Sequence, residues 1–318
     1  MSAKEEFLNT IEEDAAGQRL DVTLAQVFPQ WSRGRLQQWI KSGAVTVDGD
    51  QWRARDKVSG GESVKLIVEI EDEVEEFVAE PIPVEVIHED DDLIIVNKPA
   101  RQVVHPAPGN WGGTLLNGLL HRYPELSGVP RAGIVHRLDK DTSGLLAVAR
   151  TLKAHHKLVK ALQRREFSRE YLALVEGKPI SGGTVDAPIA RHHTERKRMA
   201  VQEYGKPAVT HYRINKKFAA HTLLNVKLET GRTHQIRVHM TNIRYPIVGD
   251  PVYGGRLRTA KGLSEPLVDA LRLFRRQALH ATRLALKHPI SGEDLSWEVP
   301  VPEDFAALLV LLEEDNAR

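Results

Sequence analysis

At 318 residues, 41% hydrophobic and 27% charged, the chain has the make-up of a globular protein with a packed core, and its length suggests two domains. It holds no cysteine, which excludes disulfides, zinc–thiolate and iron–sulfur centres and thiol nucleophiles, and suits a reducing compartment. The acidic N-terminus lacks the apolar core of a secretory signal, and runs such as Ala306 to Leu312 are too short to span a bilayer, so the expectation is a cytoplasmic protein with no membrane partner.

The formal net charge of +1 hides a segregation. Residues 1–80 carry 9 Lys/Arg against 17 Asp/Glu (net −8), leaving 35 of the 44 basic and 26 of the 43 acidic residues beyond them (net +9). Positive charge gathered in this way suits a polyanionic partner, and equally the solvated faces of helices.

In chain order, residues 1–16 read as an acidic tail. Leu20 to Phe28 has helical spacing. A second helix starts at Ser32, whose hydroxyl can cap it, and runs through Leu36, Trp39 and Ile40 to Gly43. Arg33, Arg35 and Lys41 lie on or beside that helix. Ala44 to Val47 alternates like a strand, Asp48-Gly49 is a hairpin-turn signal and Ser63 to Ile70 is a closing strand, so residues 17–75 form a small domain. The acidic stretch ending at Pro81-Ile82-Pro83 has linker composition, and residues 76–88 are assigned to it.

Residues 89–318 form the larger, mixed domain. Leu93 to Pro99 is a buried strand stopped by proline, Pro106 to Gly113 a loop, and Thr114 to Tyr123 a helix. Ile134-Val135 and Leu145 to Ala149 read as two strands joined by the polar loop His136-Arg137-Leu138-Asp139-Lys140-Asp141-Thr142-Ser143-Gly144. Leu152 to Glu166 is an amphipathic helix with Lys153, Lys157, Lys160 and Arg164 on its polar side. Tyr171 to Val175, with the aromatic at its start, and His221 to Glu229 are further strands.

A carboxylate between Arg137 and Lys140, on a loop between rigid elements, is where chemistry usually sits, although composition alone allows an ordinary charged turn. Three other segments are dense in functional groups: Asn97-Lys98-Pro99 with His105-Pro106, Arg169 to Gly177, and Gly231-Arg232-Thr233-His234-Gln235-Ile236-Arg237-Val238-His239-Met240. His234 and His239 point away from each other on either a helix or a strand, and His155-His156 and His192-His193 lack a third partner at useful spacing, so no metal site is expected.

Two resemblances follow. Arg19-Leu20-Asp21, Ser32-Arg33, Trp39-Ile40 and Val45 to Gly49 resemble the alpha-L RNA-binding domain shared by a small-subunit ribosomal protein and several RNA-modifying enzymes. The His136 to Gly144 string, with the three segments above and Gln277-Ala278-Leu279-His280-Ala281, resembles the RluA-type pseudouridine synthases. Within that family the similarity is to the large-subunit branch D, which carries the same N-terminal domain. One departure is Arg101-Gln102, where the family usually has Gly-Leu.

The resemblance implies an α+β protein, an alpha-L type domain plus a mixed α/β catalytic domain around a largely antiparallel sheet. It implies isomerisation of uridine in a stem-loop of ribosomal RNA by base flipping, with no cofactor because no net redox change or hydrolysis occurs. It makes Asp139 the catalytic carboxylate, nucleophile or base, Arg237 its cationic partner, and Tyr171 the ring that stacks on uracil. Arg137 fills the space of the flipped base. Further RNA contacts are expected from Arg33, Arg35, Lys41, Lys98, His136, Thr142, Arg232 and His234. Phosphates are expected along the helix from Leu152, at Arg196-Lys197-Arg198 and along Arg272 to Arg283. A monomer is expected. A transfer-RNA substrate, an idle ribosome-assembly factor and a glycosidic-bond hydrolase stay open as alternatives.

Overall fold

The computed structural model describes residues 4–28, 31, 33–69, 77–107, 109–195, 198–255, 260 and 262–317. They divide into two units, Met1–Glu76 and Phe77–Arg318. Among the described residues no helix is long and apolar enough to cross a membrane.

The first unit contains β1 (Lys4–Thr10), α1 (Leu20–Val27), α2 (Arg33–Ser42), β2 (Val45–Val47) and β3 (Ser63–Glu69), with β3 central in an antiparallel sheet. Helical spacing in α1 and α2 brings Leu20, Leu24, Leu36 and Ile40 to one core, where they meet the inward residues Val45, Val47, Val64 and Leu66 of the strands. Asp48 and Gly49 take φ of 50° and 89°, the pair of left-handed conformations a tight turn needs. The reading of residues 1–16 as an acidic tail is corrected: β1 pairs with β3 from Lys4–Glu69 to Thr10–Ser63, and Ile11 and Ala15 are buried. Its partner lies far along the chain, so no local pattern announced it. Ser32, the expected cap, lies outside the described residues.

A buried carboxylate ties α1 to α2. Asp21 accepts hydrogen bonds from Arg19 Nε (3.0 Å), Arg33 Nη2 (2.7 Å) and Gln37. Burial works against its charge, but these bonds and Arg33's charge more than reverse that and hold it well below the usual carboxylate range. Arg33, expected to meet RNA, is bonded to Asp21 with its side chain still half exposed. Arg35 lies 5.0 Å over the Trp39 ring, and Lys41 is exposed.

The second unit is built on one sheet, in order β4 (Val86–Glu89), β5 (Leu93–Lys98), β6 (Ser143–Ala149), β13 (Leu279–Lys287), β7 (Ser168–Glu176), β12 (His221–Leu228), β11 (Val209–Lys217), β8 (Gly183–Asp186), with β14 (Asp294–Glu298) also on β13. Its pairings are antiparallel apart from β6 with β13. A separate two-stranded ribbon joins β9 (Ile189–Arg191) and β10 (Met199–Val201). The helices are α3 (Leu115–Arg122), α4 (Leu152–Gln163), α5 (Gln235–Asn242), α6 (Glu265–Leu273) and α7 (Glu303–Asn316).

Both faces of the central strands are covered, which is why they read as unbroken apolar runs. Ile94, Val96, Leu146 and Val148 face a core with α3, α5, α6 and α7, whereas Leu93, Ile95, Leu145 and Ala147 face α4 through Ala154 and Leu158. Three expectations are corrected. Residues 76–88 are no free linker: Asn117 on α3 donates to the Val78 carbonyl, the Gly113 N–H donates to Glu80, and Val86–Glu89 is a strand. Ile134-Val135 is not a strand, because the tight turn Pro130–Gly133, with Arg131 and Ala132 at positive φ, leaves only an Ile134–Val148 bridge. Tyr171 sits inside β7 rather than at its start.

Gly144 sits where β6 and β13 approach closely. It has φ of 113°, and a Cβ there would lie 2.2 Å from the Ala281 carbonyl oxygen. Gly144→Ala is therefore expected to destabilise the full chain by about 3 kcal/mol or more, read as a drop in the urea midpoint. Asp21→Asn should lower stability by about 1–3 kcal/mol at pH 7. Since Asp21's folded carboxyl titrates below the unfolded value of about 3.9, its contribution is complete above that pH and fades as pH falls toward the folded value. The gap between wild type and Asp21→Asn should accordingly narrow below about pH 4.

Candidate active site

The loop between the Pro130–Gly133 turn and β6 carries Asp139 to the floor of a cleft of about 1060 Å³. No regular hydrogen-bond ladder holds this loop, so buried side chains do. Lys98, at the end of β5, is fully buried and donates from Nζ to the carbonyls of Lys140 (3.1 Å), Gln102 (2.9 Å) and Pro99 (2.7 Å). Burial, partly offset by Asp141 and Asp139, lowers its pKa to about 7. Gln277 donates to the Thr142 hydroxyl at 3.0 Å, and Ser143 bonds His280 at 2.9 Å. Arg276, held by Asp304 through two bonds of 2.7 Å, reaches the Asp141 carbonyl.

Opposite the loop, α5 presents Arg237, which is 4% exposed. Its Nε and Nη2 grip Asp250 at 2.6 and 2.9 Å, and its Nη1 donates to Asp139 Oδ2 at 3.0 Å. Asp250 is buried and also accepts the Val252 and Tyr253 N–H groups at 2.9 and 3.0 Å. The Tyr253 ring lies 5.0 Å from the guanidinium. Burial works against Arg237's charge, but Asp250 and then Asp139 outweigh it and raise the pKa further above its already high value. His234, in a left-handed conformation at the head of α5, bonds Tyr253 Oη at 2.8 Å and lies 3.9 Å from Asp139 Oδ1. Burial holds it below the ordinary histidine range, with Asp139 opposing.

Tyr171, paired with Val226 and Ala281 on the adjoining strands, is 6% exposed and lines the same cleft. Burial pushes its hydroxyl pKa up, so the ring is neutral and available as a flat apolar surface.

The cleft thus gathers Asp139, Tyr171, Arg237, Arg137, Arg232 and His234 from segments far apart in sequence, with His136 and Thr142 in its walls. Arg137 and Arg232 are exposed. Several expected RNA contacts take other roles. Lys98 lies beneath the loop with its donors on backbone carbonyls. The Thr142 hydroxyl is buried against Gln277. His136 accepts the Ala147 N–H through Nε2 at 3.0 Å, and burial beside Arg169 pushes it down to about 3, leaving it neutral.

On α4, Lys153, Lys157 and Lys160 are exposed, as is Arg164 just past it, while Val159 and Leu162 line the cleft. Arg276 is a buried brace rather than a phosphate contact; Arg272 pairs with Asp269 and Arg283 with Glu170. Arg196 and Lys197 lie outside the described residues. Arg101, the departure from the resembled pattern, takes φ of 68°, the region glycine enters freely. The Gln102 carbonyl still receives Lys98, so the loop keeps its anchor.

Sequence reading missed Asp250, whose only signal was a Gly249-Asp250-Pro251 turn, and gave no role to Arg169, which heads the Arg169 to Gly177 segment. Removing Asp250 leaves a buried guanidinium half-paired, so Asp250→Ala should cost about 3–5 kcal/mol in denaturant unfolding. Asp139→Ala, at the wetter end of the same network, should cost clearly less.

With this geometry in place, the likenesses to known proteins are informative. Residues 92–242 match the RNA pseudouridylate synthase family, and residues 18–64 match the S4 domain. The chain is 53% identical over 316 residues to ribosomal large subunit pseudouridine synthase D of Escherichia coli K12, covering 99% of this chain and 97% of that one. It is 56% identical over 304 residues to the protein of that name in Pseudomonas aeruginosa PAO1, covering 95% and 94%. Its fold matches human RNA pseudouridylate synthase domain containing 4, with a TM-score of 0.58, 26% identity, and coverage of 72% of this chain and 93% of that one. A cleft built around Asp139 and Arg237 and matches that run almost end to end lead to one conclusion: the chain belongs to the RNA pseudouridylate synthase family, and bears an S4 domain ahead of its catalytic domain.

Proposed function

We propose that this protein isomerises uridine to pseudouridine in large-subunit ribosomal RNA, with Asp139, Tyr171 and Arg237 as its catalytic residues. The observation that carries this reading is the Arg237 Nη1–Asp139 Oδ2 bond of 3.0 Å at the floor of an open cleft. It occupies one carboxylate oxygen. Oδ1 has no hydrogen-bond donor among the described residues, His234 Nε2 standing 3.9 Å away. That free oxygen attacks the sugar or the base as a nucleophile, or removes the ribose 2′ proton.

Either route needs the nucleotide out of its stack. Tyr171 supplies a replacement stacking surface, worth about 1–3 kcal/mol, and keeps the detached ring over Asp139 while it turns. Arg137, exposed on the loop two residues before Asp139, fills the vacated position. The lysines of α4 follow the phosphates. The names of the relatives and the S4 match support ribosomal RNA of the large subunit as substrate, recognised at a stem-loop whose bases are free to turn out.

Large-subunit RNA made with 5-³H-uridine should release tritium into water without free uracil, and Asp139→Asn should abolish that release. Binding should weaken steeply as salt rises. Free uracil would point to a hydrolase, and no tritium from any ribosomal RNA would end the reading.

A further inference from the structure

Arg169 stands two residues before Tyr171 on β7, so both side chains emerge from the same face of the strand. It is 8% exposed and lines the cleft. Its Nε is buried without a hydrogen-bond partner, and among the described residues no carboxylate lies within ion-pair distance of it. The guanidinium rests against the Gly231 loop: a Cβ built on Gly231 would come 2.7 Å from Nη1. The nearest ring on its own strand face is Tyr171, and the imidazole it influences, His136, is neutral. A desolvated cation with no counter-charge is costly. It persists where a ligand supplies the missing negative charge.

We propose that Arg169 is a further catalytic residue, whose guanidinium donates hydrogen bonds to the carbonyl oxygens of the everted uracil and stabilises the anion formed when the glycosidic bond breaks. This rests on the reading that Tyr171 carries the uracil. Cleavage of N1–C1′ sends the bonding pair to N1, and the resulting charge spreads to O2 and O4. The deficit at C1′ is met by an Asp139 oxygen or by loss of the 2′ proton. Bonding of C5 to C1′ then consumes the anion's electron pair, as the Asp139 O–C1′ bond breaks and its pair returns to the carboxylate or, on the other route, as the 2′ proton returns to C2′; the C5 proton departs and N1 gains one. The charge thus exists only between two bond changes, where a preorganised buried cation acts most strongly.

A phosphate is the poorer fit. It stays hydrated at the rim, where the exposed Arg137, Arg165 and Arg232 are already placed. The planar fork of a guanidinium next to a stacking surface instead matches oxygens in the plane of a stacked base.

The test compares wild type, Arg169→Met and Gly231→Ala by tritium release and RNA binding. Gly231→Ala retains the guanidinium but displaces it, and the atom it crowds is the free end of a flexible side chain, so folding is spared. Both variants should lose kcat, Arg169→Met on the order of 10²-fold, with RNA Kd within about twofold of wild type. In single turnovers on 5-fluorouridine RNA the defect should shrink, because fluorine makes the uracil a better leaving group. A raised Kd with a salt slope shallower by about one and unchanged kcat would make Arg169 a phosphate anchor and overturn the proposal. Unchanged kcat in both variants would do so too. If Arg169→Met fails to fold, Gly231→Ala decides alone. Persistent tritium release by Asp139→Asn would instead overturn the reading of the whole site.

Discussion

The two-pronged bond between Arg237 and Asp250 is what the site depends on. A guanidinium has five donors in a rigid plane, and two of its nitrogens are fixed here by a carboxylate that is itself pinned by two backbone N–H groups. Nothing is left for Nη1 to do but point at Asp139. The position of Asp139's partner is therefore set by a turn thirteen residues downstream of Arg237. Such preorganisation keeps charges in place before substrate arrives, which is the condition for electrostatic catalysis.

A second constraint acts from below. The Asp139 loop has few backbone bonds of its own, and the Thr142 N–H to Asp139 carbonyl bond of 3.1 Å is the one that tightens it. Lys98, Gln277 and Arg276 hold its carbonyls and hydroxyl from the sheet side. Burying an ammonium and a guanidinium for this purpose opposes folding, and the compensation is that every donor used meets an acceptor fixed in the scaffold. The single parallel pairing in the sheet, His280 with Ser143 and Ala281 with Gly144, starts β6 where this loop ends. Gly144 is there because no side chain fits between the two strands.

Some of this was legible in residues alone. The run Leu93 to Lys98 and the run Leu145 to Ala149 announced strands covered on both faces, and the helical spacing of α1, α2 and α4 announced those helices. The His136 to Gly144 string falls on a loop that lines the cleft. What misled were segments whose partners are remote. β1 looked like an acidic tail because its alternation is weak and β3 lies far along the chain. The stretch after Phe77 looked like a linker because an acidic run leads into Pro81-Ile82-Pro83, yet Glu80 and Val78 find their partners at Gly113 and Asn117. Lys98 entered the expected RNA contacts through the resemblance, and its burial with its ammonium on three backbone carbonyls is visible only in the folded chain.

Local composition and spacing determined the two-unit organisation, the apolar strands and the cationic character of the larger unit. These follow from short-range rules: periodicity, turn chemistry and the pairing of like patterns. Tertiary structure alone decided that Asp250 orients Arg237, that Lys98 and Thr142 are buried within the protein, and that Arg169 is left buried without a counter-charge among the described residues. Those outcomes depend on distances between residues scores of positions apart and on solvent exclusion, quantities that exist only once the sheet has brought its loops to one cleft.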